Sequence, residues 1–336
     1  MIVLGIESSC DECAAAVVRD GTEVLSQTIA SQIADHTPYM GVVPELASRL
    51  HTELIVPTVT DALAKANVSP AELDGVAVTN RPGLLGSLLV GLSFAKGFAA
   101  THSLPFITVD HILAHLYAPQ MERPLSYPYL GVLVSGGHTV LAQVDGYDTV
   151  TVLGTTVDDA IGEAFDKIAK HYDFGYPGGK VIDDLARKGN PLAFLFPGTT
   201  LPNPLDLSYS GLKSAVIHQL DSFWDGKSEK SPENIAASFE RQAVNMIIKR
   251  IRLALEETGL QRISAGGGVA ANTYFREQLL AFEQGGYEVA LPSLALCTDN
   301  AAMIAGLGYH YLADGITSPY SEGAQARVRA FKRNNS

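Results

Sequence analysis

The sequence predicts an α/β protein made of two related domains, and three observations carry that expectation. The chain has 336 residues, 46% of them apolar and 18% charged, a globular balance with enough length for about two separate cores. A meander of three strands is written twice. Each meander is followed by helical segments alternating with single strands, the pattern of α/β architecture.

Taken in order, MIVLGIE is an apolar strand, SSCDE a small polar turn and CAAAVVRD a second strand. Asp20-Gly21, a strong hairpin signal, leads into the third strand, GTEVLSQTIA. The motif returns between Tyr129 and Gly146 as YLGVLV, SGGHT and VLAQVDG, with Asp145-Gly146 turning into TVTVLG. Later strands are GVAVTN and PFITVD in the first half, RISAGGG and YEVALP in the second. The longest helix is bounded by Ser231 as cap, Pro232 at its first position and Gly259 at its end. Its apolar residues, among them Phe239, Ala243, Ile247 and Ile251, recur at helical spacing, so it is a core helix with no chemistry assigned to it.

This duplication resembles the actin-like ATPase (ASKHA) superfamily, two βββαβαβα domains around a central nucleotide cleft. The expected limits are 1–124 for the first domain and 125–305 for the second, with the crossing in MERPLSYPY. A C-terminal helix and tail, 306–336, is expected to pack back on the first domain.

The formal charge of −12 argues against a protein that grips nucleic acid with its whole surface, since phosphate binding depends on Lys and Arg. Local basic groups exist at Arg241, Lys249, Arg250 and Arg252, and at Arg327, Arg329, Lys332 and Arg333; alone, each reads as a solvated face or tail. No charged leader with a long apolar run opens the chain, and no run of ~18 apolar residues appears, so neither signal peptide nor membrane span is expected. Three cysteines, Cys10, Cys13 and Cys297, are too few for a disulfide framework and fit a reducing cytoplasm. Cys10 and Cys13 form C-x-x-C in a turn, where small-residue packing outweighs redox or metal chemistry.

Glycine clusters are the next signal. VSGGHT (Val134 to Thr139) sits at the second hairpin turn, YPGGK (Tyr176 to Lys180) opens a helix, and SAGGGVAAN (Ser264 to Asn272) joins a strand to a helix. Backbone N–H groups at such places point at anions, and a missing side chain lets a phosphate or base come close. None has Walker or dinucleotide spacing. Asp159, Glu163, Asp166 and Asp183 follow near these loops, either as acceptors for ribose hydroxyls or as a solvated acidic face.

HILAH places His111 and His115 at i, i+4 on a short helix capped by Asp110 and stopped by Pro119. Such a pair can share a metal, with Asp299, ahead of another helix, as a candidate third ligand; two hydrogen-bonded core histidines are the alternative. Ile112 stands where a zinc peptidase carries its glutamate base, which removes a peptidase.

GIESSCDE, GVVPELASRLH, RPGLLGSLLVG, HILAH, VSGGHT, DDAIGEAFDK, YPGGK, SYSGLKS, GGGVAAN and CTDNAAMIA occur in this order. Together they resemble, over nearly the whole chain, the tRNA N6-adenosine threonylcarbamoyltransferase family of the bacterial TsaD type, once labelled a glycoprotease. The resemblance implies transfer of a threonylcarbamoyl group from threonylcarbamoyl-AMP to N6 of adenosine 37 in tRNA, in the cytoplasm. It implies a metal, Fe(2+) or alternatively Zn2+, on His111, His115 and Asp299. It places nucleotide contacts at Val134, Ser135, Gly136, Gly137, His138, Asp166, Gly179, Asp183 and Asn272, and acidic residues near the reacting group at Asp11 and Glu12. A paralogous actin-like subunit of TsaB type and an ATPase subunit of TsaE type are the implied partners.

The chain departs from the family pattern at Cys13 (usually Thr), Met40 (usually Gly) and in its tail, ARVRAFKR. Leu133 replaces the Tyr of archaeal and eukaryotic relatives. An actin-like small-molecule kinase needs the glycine loops without the histidine pair, and a non-catalytic scaffold needs neither. The intact histidines and Asp299 speak against both.

Overall fold

The structure is a computed structural model describing residues 1–328. The chain forms two compact units, one of Met1–Pro124 with the stretch from Pro292 onward, the other of Leu125–Leu291.

The first unit contains β1 (Ile2–Glu7), β2 (Glu12–Arg19), β3 (Glu23–Ser31), β4 (Gly75–Arg81) and β5 (Phe106–Asp110), in the sheet order β3-β2-β1-β4-β5. β1, β2 and β3 pair antiparallel through tight turns, whereas β1, β4 and β5 run parallel and need helical crossovers. The turn into β3 is made by Asp20 and Gly21, both at positive φ, the conformation that a type I′ hairpin demands. β1, β2 and β4 are buried almost throughout, because both sheet faces are covered, and so they read as continuous apolar runs. Before the chain leaves this unit it forms α1 (Ile33–His36), α2 (Pro44–Ala66), α3 (Leu85–His102) and α4 (His111–Tyr117). Ile55 and Val59 of α2 and Leu92 and Ala95 of α3 pack with Leu4, Ile6 and Val17 of the sheet. Each large aliphatic chain fully buried there contributes about 1.5–3 kcal/mol.

The second unit repeats the plan with β6 (Tyr129–Val134), β7 (Thr139–Val144), β8 (Val150–Thr155), β9 (Arg262–Gly266) and β10 (Glu288–Ala290). Its order, β10-β9-β6-β7-β8, is the first sheet's order with the same strand directions. Its helices are α5 (Ile161–His171), α6 (Gly178–Ala186), α7 (Ser210–His218), α8 (Pro232–Thr258) and α9 (Thr273–Leu280). α8 begins where the Ser231 hydroxyl accepts from Asn234 N–H at 3.3 Å and ends at Gly259, at φ +71°.

The chain returns to the first unit at Pro292, earlier than the boundary expected at 305. The reason lies in α10 (Ala301–Ala313), which lies on the first sheet. Gly5 of β1 approaches it so closely that a Cβ would stand 2.3 Å from the Ala301 carbonyl oxygen. Beyond α10 the chain follows β4 and β5: Ser318 N–H donates to Phe106 O at 2.8 Å and Gln325 N–H to Asn80 O at 2.9 Å. Of the C-terminal basic group only Arg327 is described; Arg329, Lys332 and Arg333 lie outside the described residues. Among the described residues no helix is long and apolar enough to cross a membrane.

Candidate metal centre and glycine cradle

In the first unit, Asp110 ends β5 and caps α4, its Oδ1 accepting from Ile112 N–H at 2.9 Å and Leu113 N–H at 3.3 Å. Arg81 holds the other oxygen at 3.2 Å. The cap fixes the first turn, so His111 and His115 stand one above the other, ring centroids 4.5 Å apart and planes at 83°. Asp299 lies just before Asn300, the cap of α10. Its Oδ1 is 3.1 Å from His115 Nε2 and 3.6 Å from His111 Nε2. One ligand atom from each of the three residues lies within 4.8 Å of the other two. Two imidazole nitrogens and a carboxylate oxygen aimed at one point fit a borderline divalent cation such as Fe2+ or Zn2+, so the donor set suits a metal.

Both histidines are buried, and the neighbourhood is acidic. Burial opposes the charge on His111, but Glu7 and Asp299 outweigh it and lift its pKa to about 9. Burial and then the charge of His111 hold His115 below its ordinary value. Glu12 is pushed up to about 10 by burial, then by Asp299 and Asp11. Glu12 is thus within electrostatic reach of both Asp299 and Asp11. Cys13 lies within β2 rather than in the turn, and burial raises its thiol to about 12; burial and Asp11 likewise raise Cys10. Both thiols are free and held away from the reactive thiolate form.

Glu7, Ser9 and Thr79 were not singled out from the sequence, yet they touch the centre. Glu7 Oε2 is 3.0 Å from His111 Nδ1, Ser9 Oγ 3.2 Å from the same nitrogen, and Thr79 Oγ1 donates to Glu7 Oε2 at 2.6 Å. The only sequence-level signal was a charged residue ending an otherwise apolar strand.

In the second unit the glycine motifs come together. The β6–β7 turn is closed by Ser135 N–H donating to His138 O at 2.8 Å and His138 N–H to Ser135 Oγ at 3.1 Å. Gly162, in the first turn of α5, packs on this loop, where a Cβ would stand 2.7 Å from Ser135 O and 2.8 Å from Gly136 Cα. Gly267, at φ +97°, lies against the Val134 carbonyl, so Val134, itself buried, presents only backbone here. Asp166 accepts from Gly178 N–H at 2.8 Å and orients the start of α6. At Gly136, Gly137, Gly179 and Gly268, in contrast, a Cβ would meet no atom of the described residues within 4 Å. These four face open space, as Gly97, Gly226 and Gly323 elsewhere also do, so a ligand could approach the backbone there.

Asp183 of α6 accepts from Thr273 N–H at 3.0 Å and from Asn272 Nδ2 at 3.3 Å. Asn272 caps α9 through Phe275 N–H at 2.8 Å and donates to Glu240 Oε1 at 2.6 Å. Glu240, on the helix to which no chemistry was assigned, is pushed up to about 8 by burial and, further, by Asp183, against the hydrogen bond from Asn272. Asp159 and Glu163, read as possible ribose acceptors, are instead occupied by lysines: Lys167 reaches both, and Lys213 reaches Asp159 at 2.6 Å.

Residues 23–306 match the family described as TsaD, tRNA N6-adenosine threonylcarbamoyltransferase. A Treponema denticola protein of that name is 56% identical over 336 residues, 99% of each chain. One from Treponema pallidum (strain Nichols) is 50% identical over 339 residues, covering 99% of this chain and 95% of its own. One from Borreliella burgdorferi is 48% identical, covering 99% and 96%. Among solved structures, HypF from T. kodakarensis superposes with a TM-score of 0.63 at 14% identity, over 94% of this chain and 48% of that one. The activator of 2-hydroxyisocaproyl-CoA dehydratase from Clostridium difficile gives 0.52 at 12% identity, over 95% and 99%. By fold, then, the chain is an actin-like α/β protein, two copies of one mixed five-stranded sheet with helices. By sequence it belongs to the tRNA N6-adenosine threonylcarbamoyltransferase family, transferases that modify tRNA.

Proposed function

We propose that this chain transfers the threonylcarbamoyl group of threonylcarbamoyl-AMP to N6 of adenosine 37 in tRNA, with a divalent metal, Fe2+ or alternatively Zn2+, held by His111, His115 and Asp299. The observation that carries this reading is the convergence of those three ligands in a chain of this family. A kinase on the same fold needs glycine loops but not this ligand set. The bound metal supplies Lewis acidity, polarising an oxygen of the substrate.

The remaining work falls to side chains and amides. Amides of Gly136, Gly137 and Gly179 suit the phosphate, and the open glycines suit close approach by the nucleotide. Val134, His138, Asp166, Asp183 and Asn272 frame those loops. Asp11 or Glu12, in the connection after the first strand, is the proposed acceptor of the N6 proton. N6 then bonds to the carbamoyl carbon, the bond from that carbon to the phosphate oxygen breaks, and AMP leaves with the electron pair. An acidic chain needs help with tRNA, and subunits of TsaB and TsaE type in the cytoplasm are the proposed partners.

The test is reconstitution with tRNA, threonine, bicarbonate, ATP, the adenylate-forming synthase and the partner subunits. His111→Ala is expected to lose bound metal and to lower the yield of modified adenosine by about 10²- to 10³-fold, the scale of one oriented charge-stabilising group. Wild type without product, or a mutant that matches it, overturns the reading.

A further inference from the structure

The metal centre has a carboxylate that is not one of its ligands. Glu7 ends β1 fully buried, and its oxygens are both engaged. Oε1 accepts from Ser9 N–H at 2.6 Å, and Oε2 from Thr79 Oγ1 at 2.6 Å, with His111 Nδ1 at 3.0 Å from Oε2. Desolvating a carboxylate is costly unless donors replace the lost water, and these three donors come from three separate elements, β4, α4 and the β1–β2 turn. That turn is itself pinned. Leu84 N–H donates to Ser9 O at 2.7 Å, and Gly83 lies so close that a Cβ would stand 2.4 Å from the same oxygen.

A neutral imidazole carries one proton on one of two nitrogens, and only the other can bind a metal. A carboxylate fixed opposite Nδ1 accepts a proton there and leaves the lone pair on Nε2, the atom that faces Asp299 and His115. The two ligand histidines differ in this respect, because His115 Nδ1 is buried and has no hydrogen-bond partner among the described residues. We propose that Glu7 is the positioning residue of this centre, fixing His111 in the tautomer and ring orientation that present Nε2 as the ligand. The proposal rests on the metal reading above and goes beyond it by naming what sets the affinity.

Zn2+ serves as the probe, on the full-length chain, with affinity measured by competition against a chromophoric chelator. Glu7→Gln, nearly isosteric, is expected to weaken Zn2+ binding by about 10- to 100-fold, the usual consequence of losing a partner behind a ligand. Thr79→Val leaves the carboxylate in place and is expected to cost about 2- to 10-fold, the share of one hydrogen bond. In Zn2+-loaded wild type labelled with 15N-histidine, the His111 ring is expected to carry its proton on Nδ1 and the metal on Nε2. Zn2+ held by Glu7→Gln as tightly as by wild type, while His111→Ala loses it, overturns the positioning role alone. Equal Zn2+ binding by wild type and His111→Ala overturns the metal reading and this proposal together. If Glu7→Gln does not fold, as judged by circular dichroism, the decision passes to the wild-type spectrum and Thr79→Val. Ligation through Nδ1, or unchanged affinity in Thr79→Val, then counts against it.

Discussion

The turns that close the first hairpin of each unit occupy the same place in the same topology, yet they differ in length and in charge. In the first sheet the innermost β1–β2 pair is Glu7 with Ala14, leaving residues 8–13 between them; in the second it is Val134 with Thr139, leaving residues 135–138. The longer connection carries a buried Asp11 and a half-buried Glu12 in an acidic setting, and its Ser9 reaches His111. The shorter one is Ser-Gly-Gly-His, with amides and open space. On the proposed reading, one scaffold would take a cation in one copy, on ligands carried by α4 and the residue before the α10 cap, and an anion in the other, at the turn past the first strand.

The contrast can be broken from either side. Gly137→Val puts bulk where no described atom waits, so the fold should tolerate it while AMP affinity, read by calorimetry, falls by about 100-fold, or ~2.7 kcal/mol. Zn2+ binding should stay at the wild-type level, and an unchanged AMP affinity would show that the turn holds no phosphate. Gly162→Ala should do the reverse. Its new methyl meets backbone atoms of Ser135 and Gly136, so stability drops by about 1–3 kcal/mol, seen as a lower thermal midpoint.

A smaller effect concerns Glu240. Its pKa in the fold is about 8 against 4.5 in the unfolded chain, so between those values the folded state binds the extra proton. Stability from this group is complete below pH 4.5 and is lost as pH rises towards 8. Glu240→Gln keeps an acceptor for Asn272 and removes the titration. It should therefore gain on wild type at pH 8, by on the order of 1 kcal/mol, and show a flatter stability profile from pH 5 to 8. Parallel profiles would dismiss Glu240 as the source.

What was legible in the sequence was local. The Asp20-Gly21 turn, the bounds of α8 at Ser231 and Gly259, and the Asp110 cap ahead of HILAH each depend on residues a few positions apart. Periodicity and turn chemistry report such features directly. His111, His115 and Asp299 were legible from the residues only as candidates, because nothing in spacing brings position 299 to position 111, and the family resemblance joined them. Glu7 and Glu240 were missed for that same reason. Glu7 looks like a stray charge ending an apolar strand and Glu240 like one of many charges along α8, and the partner lies 104 residues away in one case and 32 in the other. For the acidic stretch from Asp159 the sequence left ribose acceptors and a solvated face both open, and charge alone does not reveal that Lys167 and Lys213 pair with Asp159.

The placement of α10 has a consequence for biosynthesis. The first sheet emerges from the ribosome early, but the helix that covers Gly5, and the aspartate just ahead of it, are translated only after the whole second unit. Until then that sheet waits with one face bare, and HILAH waits without its third ligand. The His111, His115 and Asp299 set is thereby completed only after the whole second unit has been translated.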